Sequence, residues 1–262
     1  MKYKAGFIGV GNMGGALLDA VRGSVDCGDV AIYDISSDAV KKKSDAGLGI
    51  PSDIETVAGE CDFVFLGVKP NVIASVADTV SPYLKEDTVL VSMAAGVSVA
   101  DIKAASRHDR VIRIMPNTPA SVGEGMILYC LSEKVSAEDE KGFLDIMKAA
   151  GRLDRIEEKH IDAASAVSGC GPAFVFMFIE ALADGGVRCG LPRDKALLYA
   201  EQTLLGSAKL ALESGVHPEK LKDMVCSPGG TTIEGVLALE KGSFRGVAAS
   251  AVVSAFEKTK LL

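Results

Sequence analysis

The sequence predicts an α/β fold. A parallel sheet layered between helices should occupy residues 1–158, and an all-helical domain residues 159–262. Three observations lead there. Short apolar runs alternate with stretches of helical spacing through the first part, the pattern of a parallel sheet covered on both faces. A glycine-rich turn joins the first apolar run to the first helix. After about Lys159 strand signals stop, and long segments rich in alanine and leucine take over.

The first run, Ala5 to Val10, reads as a strand. It enters Gly9-Val10-Gly11-Asn12-Met13-Gly14 and then Gly15 to Val21, which has helical spacing. Strand, tight turn and helix form the context that a dinucleotide fingerprint requires. Gly9 allows the turn, Gly11 lets a pyrophosphate approach the backbone, and Gly14 lets the helix pack against the strand. The helix N-terminus offers free N–H groups at Asn12 and Met13 and a positive dipole end. A glycine turn alone is also ordinary α/β punctuation. Here the strand before it, its place at the chain start and an acid downstream all agree, which makes the first domain Rossmann-type.

That acid is Asp34. It follows the second apolar run, Val30 to Tyr33, and lies 20 residues after Gly14. An acid here accepts from ribose hydroxyls and disfavours a 2′-phosphate, so NADH is the expected coenzyme. Ser36, Ser37 and Lys41 to Lys43 stand close in sequence and keep NADPH open, although the lysines read as a solvated helix face.

Helical segments follow near Ser37 to Ala46, Asn71 to Thr79 and Val99 to Ser106, between strands Phe63 to Leu66, Val89 to Ser92 and Val111 to Ile114. A last pair of strands, Met126 to Cys130 and Arg152 to Ile156, is joined by a helix over about Ala137 to Ala150. Ligands of such sheets bind at the carboxyl ends of the strands. Those ends carry Gly67-Val68-Lys69-Pro70, Met93-Ala94-Ala95-Gly96 and Met115-Pro116-Asn117-Thr118-Pro119-Ala120. Their small residues would let a flat nicotinamide lie against backbone. Turn chemistry explains Pro and Gly equally well.

The helical part is predicted at Ile161 to Asp184, Arg193 to Ser214, Pro218 to Val225, Thr231 to Lys241 and Phe244 to Leu262. The first stretch contains Ser168-Gly169-Cys170-Gly171-Pro172, a loop leading into an apolar helix at Ala173. These helices are too apolar to lie alone in water, so a second subunit is expected to cover a face of them. The run Ala173 to Ala183 carries Glu180, and it reads as a buried helix too short to span a bilayer. A second loop, Ser227-Pro228-Gly229-Gly230-Thr231-Thr232, precedes another helix. It is either an N-cap or an anion cradle able to hold a carboxylate without arginine. Two glycines exceed what a cap needs and favour the cradle.

Composition narrows the function. A net charge of −7 argues against nucleic-acid binding, and 48% hydrophobic residues suffice for a packed core. No signal peptide is expected ahead of the first strand, which points to the cytoplasm. Six cysteines form no C-x-x-C pair, and three histidines lie scattered, so reduced thiols and no metal are expected. No Ser-His-Asp set and no His-Asp pair suited to a hydroxy acid stands out. Hydride transfer to a carbon–nitrogen double bond fits, because a protonated imine is already electrophilic.

These residues resemble the pyrroline-5-carboxylate reductase family over nearly the whole chain. The most specific stretch is Asp223 to Gly235, with Ser227-Pro228-Gly229-Gly230-Thr231-Thr232 inside it, followed by Leu239-Glu240. Gly67 to Pro70, Met93 to Gly96, Met115 to Ala120 and Ala181 to Val187 match in the same order. The resemblance implies reduction of 1-pyrroline-5-carboxylate to L-proline by NADPH or NADH. It also implies a helical domain that interlocks two subunits, with each active site shared between partners, and homodimers or rings of dimers. By motif, Thr232 would hydrogen-bond the ring nitrogen, while Ser227 and the backbone from Gly229 to Thr232 would hold the carboxylate. Coenzyme contacts would fall to Gly9, Gly11, Asn12, Met13, Gly14, Asp34, Val68, Lys69, Pro70, Ala94, Ala95, Gly96 and Asn117. Two positions depart from the family pattern: Cys170 stands where serine is usual, and Asp34 where residues suited to NADPH are common. A β-hydroxyacid dehydrogenase shares the glycine start but uses a lysine early in a helix that here reads Ala173 to Ile179 without one. A non-catalytic NAD(P) sensor is disfavoured by the intact Thr232 loop.

Overall fold

In the computed structural model, residues 1–259 are described; residues 260–262 of the expected last helix lie outside the described residues. The chain forms two compact units. One comprises Met1–Cys170 with the chain from Ala255 onward, the other Gly171–Ser254.

The first unit is built on an eight-stranded sheet of order β3-β2-β1-β4-β5-β6-β7-β8. Its strands are β1 (Tyr3–Ile8), β2 (Val30–Tyr33), β3 (Ile50–Pro51), β4 (Cys61–Leu66), β5 (Val89–Ser92), β6 (Val111–Met115), β7 (Gly125–Leu131) and β8 (Gly151–Arg155). The connecting helices are α1 (Asn12–Val21), α2 (Ser37–Asp45), α3 (Ile54–Glu60), α4 (Pro70–Val80), α5 (Val99–Ser106) and α6 (Ala137–Met147), and α7 (Glu158–Ser168) follows β8. All strand pairs are parallel except β6 with β7. The parallel sheet expected from the sequence thus holds with that one antiparallel pair. Only a short 3-10 turn, Thr118–Val122, links those strands, and a parallel return needs a full crossover.

Alternate strand residues feed two cores, one on each face of the sheet. Phe7 and Phe65 are paired in register and stacked with centroids 4.6 Å apart in one core. Ile8, Val64 and Leu66 pack in the other. Burying each of these phenylalanines contributes about 1.5–3 kcal/mol, so the paired inner strands are the rigid base on which the loops sit. Helix starts are locally determined: capping boxes Ser98–Asp101 and Ser136–Asp139 begin α5 and α6.

Helix α7 is fastened to this unit by Arg113 of β6, only 4% exposed, which reaches Glu158 at 3.2 Å and Asp162 at 2.8 Å. Glu158 in turn accepts the Val99 N–H at 2.7 Å. Fully buried Ile161 packs beneath.

The second unit holds α8 (Gly171–Arg188), α9 (Arg193–Ser214), α10 (Pro218–Val225), α11 (Thr231–Lys241) and most of α12 (Phe244–Thr259). The stretch expected from Ile161 to Asp184 is not one continuous helix but two, parted at the loop expected there, where the N–H groups of Gly169 and Cys170 both turn back to the Ser165 carbonyl. Nor is α8 a buried helix: within the chain it buries only Ala183, and Phe176 and Met177 are 61% and 71% exposed. The run Ala173 to Ala183 is itself too short for a bilayer, as expected; only the longer segment that joins α7 and α8 reaches that length. The Glu158–Arg188 run, with mean hydropathy 1.7 in its most apolar window, is long enough to cross one by length and composition.

Candidate functional site

In the first unit, the carboxyl ends of β1 and β4 meet the start of α1 at three glycines. Gly9 has φ +93°, and its N–H donates to Tyr33 O at 2.8 Å. A Cβ on Gly14 would collide with the Gly9 carbonyl. A Cβ on Gly67 would meet that same carbonyl and lie 3.0 Å from Gly14 Cα. Three backbones thus touch where any side chain would part them. Gly67 was not among the residues assigned to the coenzyme. The signal for it was a glycine at the end of a strand adjacent to β1.

Gly11 is the opposite case. It is exposed, and a Cβ there meets no atom within 4 Å. Gly11 is the N-cap of α1, and no side chain caps the helix. The first N–H groups of α1, from Asn12 and Met13, therefore face an open approach lined by backbone, which suits a pyrophosphate.

Asp34 adjoins this turn. Its Oδ2 accepts the Val10 N–H at 2.8 Å and its Oδ1 accepts the Ser36 N–H at 2.9 Å. Each carboxylate oxygen keeps a further acceptor position for a ribose hydroxyl. An open cleft of about 410 Å³ begins here, lined among others by Tyr33, Asp34, Ser37, Lys41, Pro51 and Ser52. Of the groups near enough in sequence to meet a 2′-phosphate, Ser36 Oγ caps α2 by accepting the Ala39 N–H. Lys43 Nζ is held by both oxygens of Asp19 at 2.9 Å and by Gly15 O at 3.1 Å.

The other strand ends lie on the same edge of the sheet. Lys69 is the exposed N-cap of α4, with Pro70 in the first turn and Val68 packed on the core. Ala94 is buried after β5, its N–H 3.4 Å from Ser92 Oγ; Ala95 is half-buried, and Gly96 is exposed with φ +72°. Asn117, 7% exposed, donates from Nδ2 to Ser168 O and accepts the Met126 N–H at Oδ1, both at 2.9 Å. One N–H and one lone pair of its amide remain for a ligand.

In the second unit, the Ser227 to Thr232 loop joins α10 to α11. The Gly230 N–H donates to Ser227 O at 3.0 Å, and Gly229 has φ +67°. Gly230 itself is the N-cap of α11 and has no side-chain cap. The hydroxyls of Ser227, Thr231 and Thr232 therefore do not cap the helix, and all three residues are exposed. A Cβ on Gly230 would crowd Ser227, lying 2.5 Å from its Oγ and 3.1 Å from its carbonyl oxygen. The loop is braced from behind by Arg245, which reaches Glu219 of α10 and Glu240 of α11 at 2.6 Å each. Lys222 first, and then Arg245, hold the Glu219 carboxyl down to about 2.

All six cysteines are free, and burial pushes the thiols of Cys61 and Cys130 up to about 12 and about 11. Among the described residues no group of three His, Cys, Asp or Glu is placed to hold a metal ion.

Comparison with known proteins agrees with this geometry. Residues 158–262 match the pyrroline-5-carboxylate reductase dimerisation model, and residues 4–96 match the model for NADP oxidoreductase, coenzyme F420-dependent. Pyrroline-5-carboxylate reductase of Escherichia coli is 43% identical over 100% of this chain and 99% of its own. That of Pisum sativum is 40% identical over 99% and 96%. The crystal structure of Plasmodium falciparum pyrroline carboxylate reductase with NADP bound superposes with a TM-score of 0.89 at 35% identity, covering 100% of this chain and 98% of its own. Prephenate dehydrogenase of A. aeolicus, at 15% identity and a TM-score of 0.56, shares the fold alone. The apolar run Glu158–Arg188 that could span a bilayer by length falls inside the dimerisation match, which gives its exposed face a protein partner. By full-length identity and by both halves of its fold, the chain belongs to the pyrroline-5-carboxylate reductase family.

Proposed function

We propose that this chain reduces 1-pyrroline-5-carboxylate to L-proline, the last step of proline biosynthesis, with NAD(P)H as hydride donor. The observation that carries the reading is the pairing of an uncapped, side-chain-free α1 N-terminus with a Ser227–Thr232 loop whose hydroxyls are not spent on capping. When bound, the coenzyme supplies the hydride.

The protein's own part is binding and orientation. The α1 N-terminus holds the pyrophosphate at Gly9, Gly11, Asn12, Met13 and Gly14. Asp34 takes the ribose hydroxyls. Val68, Lys69 and Pro70, with Ala94, Ala95, Gly96 and Asn117, form the bed for the nicotinamide half. Ser227 and the backbone of Gly229, Gly230 and Thr231 hold the substrate carboxylate, and Thr232 orients the ring nitrogen. In this reading the functional division falls between residues 158 and 159, which the dimerisation match over residues 158–262 supports. The working form is a homodimer or a ring of dimers, with the substrate loop supplied by the partner subunit.

NADH is the preferred coenzyme in this reading. A carboxylate at Asp34 repels a 2′-phosphate, and Lys43 is already held by Asp19. The Plasmodium falciparum relative carries NADP; for this chain Asp34 is the ground on which we propose NADH. The test follows nicotinamide absorbance on mixing enzyme with the cyclic imino acid and either coenzyme, and separately with 3-hydroxy acids. Turnover of the imino acid supports the assignment, and turnover of hydroxy acids alone overturns it.

A further inference from the structure

We propose that Asn117 is a positioning residue for hydride transfer, a role that rests on the reductase reading above. Asn117 is the N-cap residue of the 3-10 turn Thr118–Val122, yet its side chain does not cap that turn. Asparagine at such a position ordinarily bonds its own neighbouring backbone. Here the amide is sent elsewhere. Nδ2 donates to Ser168 O, 51 residues away in sequence, and Oδ1 accepts the N–H of Met126, which lies in β7.

Ser168 is the last residue of α7, where carbonyls lack an intrahelical donor. Asn117 thus supplies from another element the donor that terminates this helix. Its amide joins the carboxyl end of β6, the second residue of β7 and the end of α7. Asn117 itself is buried, while its partners Ser168 and Met126 are half-buried. Two of the segments so joined, Met115 to Ala120 and Ser168 to Cys170, are loops whose composition already marks them for chemistry.

The consequence is specific. A group that serves mainly to fix the loop beside the nicotinamide changes how well hydride donor and acceptor line up, more than how tightly coenzyme binds. Small misplacement of reacting groups costs about 10- to 100-fold in rate.

Asn117→Asp keeps an oxygen for the Met126 N–H but replaces the donor facing Ser168 O with a second acceptor. Asn117→Ala removes both. Three quantities are read on each: coenzyme dissociation constant by fluorescence titration, kcat for the imino acid, and the primary isotope effect with coenzyme deuterated at C4. The expected result is kcat lowered about 10- to 100-fold, a larger isotope effect, and a coenzyme constant weakened by much less than kcat is lowered. A coenzyme constant weakened tenfold with kcat at saturation unchanged would leave Asn117 only its coenzyme contact and overturn the positioning role. So would a lowered melting temperature with kcat and isotope effect unchanged, or loss of folding in both variants, since the amide would then be a structural strut. Wild-type enzyme inactive on the imino acid would sink the reductase reading, and this role with it.

Discussion

The Val10 N–H donates to Asp34 Oδ2 at 2.8 Å, which ties the glycine turn of β1 to the end of β2. With Oδ1 held by the Ser36 N–H, the carboxylate has one orientation and stays at the mouth of the turn. In the proposed reading that fixed negative charge sets coenzyme choice. Steady-state kcat/KM is expected to be higher with NADH than with NADPH, and Asp34→Ser is expected to move the ratio toward NADPH. A wild-type enzyme that prefers NADPH would mean that Ser37 and Lys41, which line the same cleft, outweigh Asp34.

Two glycines of one motif are expected to fail in different ways. Gly11→Val has room for its side chain in the protein alone, so it should fold with an unchanged melting temperature. The same side chain fills the pyrophosphate approach, so coenzyme fluorescence titration should show binding lost. Gly14→Ala drives its Cβ into the Gly9 carbonyl and should lower thermal stability before any ligand is added. Unchanged coenzyme affinity in Gly11→Val would remove the pyrophosphate from this turn.

The sequence marked the inner strands, the glycine turn and both loops of the helical part because each has a local cause: an unbroken apolar run, or Gly and Pro at strand ends. Other features lacked one. Strand β3 is only Ile50–Pro51, too short to show a period, and α3 at Ile54–Glu60 went unread beside it. The reversal of β7 depends on the short link after β6. In the site, residue types were legible but partners were not. Nothing in the spacing says that Lys43 is spent on Asp19 or that Asn117 reaches Ser168. Such pairings are set by tertiary packing across long stretches of chain.

The second unit cannot satisfy its own apolar surface. Helices α8 and α9 bury only Ala183, Ala196 and Ala200 within the chain, while Leu205, Leu212 and Val247 are 58%, 72% and 64% exposed. With the dimerisation match over these residues, sedimentation at micromolar concentration is expected to show no folded monomer. A well-folded, active monomer would refute the interlocked helical domain.

The ion cluster behind the substrate loop predicts where acid acts. Glu219 is held to about 2 against a usual value of 4.5 by Lys222 and then Arg245. A carboxylate whose folded value is depressed contributes stability above its unfolded value and loses it as pH falls toward the folded one. The melting-temperature difference between wild type and Glu219→Gln should therefore stay constant from pH 6 to 8 and shrink below about 4.5. A difference that varied between pH 6 and 8 would assign the effect to another group.

Thr232 gives the sharpest test of the chemistry. It is the second residue of α11, behind an N-cap glycine that uses no side chain, so its hydroxyl has no part in starting the helix. In the proposed reaction that hydroxyl orients the imine nitrogen, which turns the adjacent carbon toward the hydride donor, and it can relay a proton to the product amine. Loss of one such bond costs about 1–3 kcal/mol, or roughly 10- to 100-fold in rate. Thr232→Ala should lose that much in kcat/KM for the imino acid, with coenzyme affinity unchanged. Thr232→Ser keeps the hydroxyl and should retain much of the activity. Thr232→Val keeps the shape and should behave like alanine. The valine variant decides the matter, because it separates shape from hydrogen bonding at one position. Wild-type kcat/KM in Thr232→Val would leave the hydroxyl without a role in the reaction and reduce the loop to a helix start.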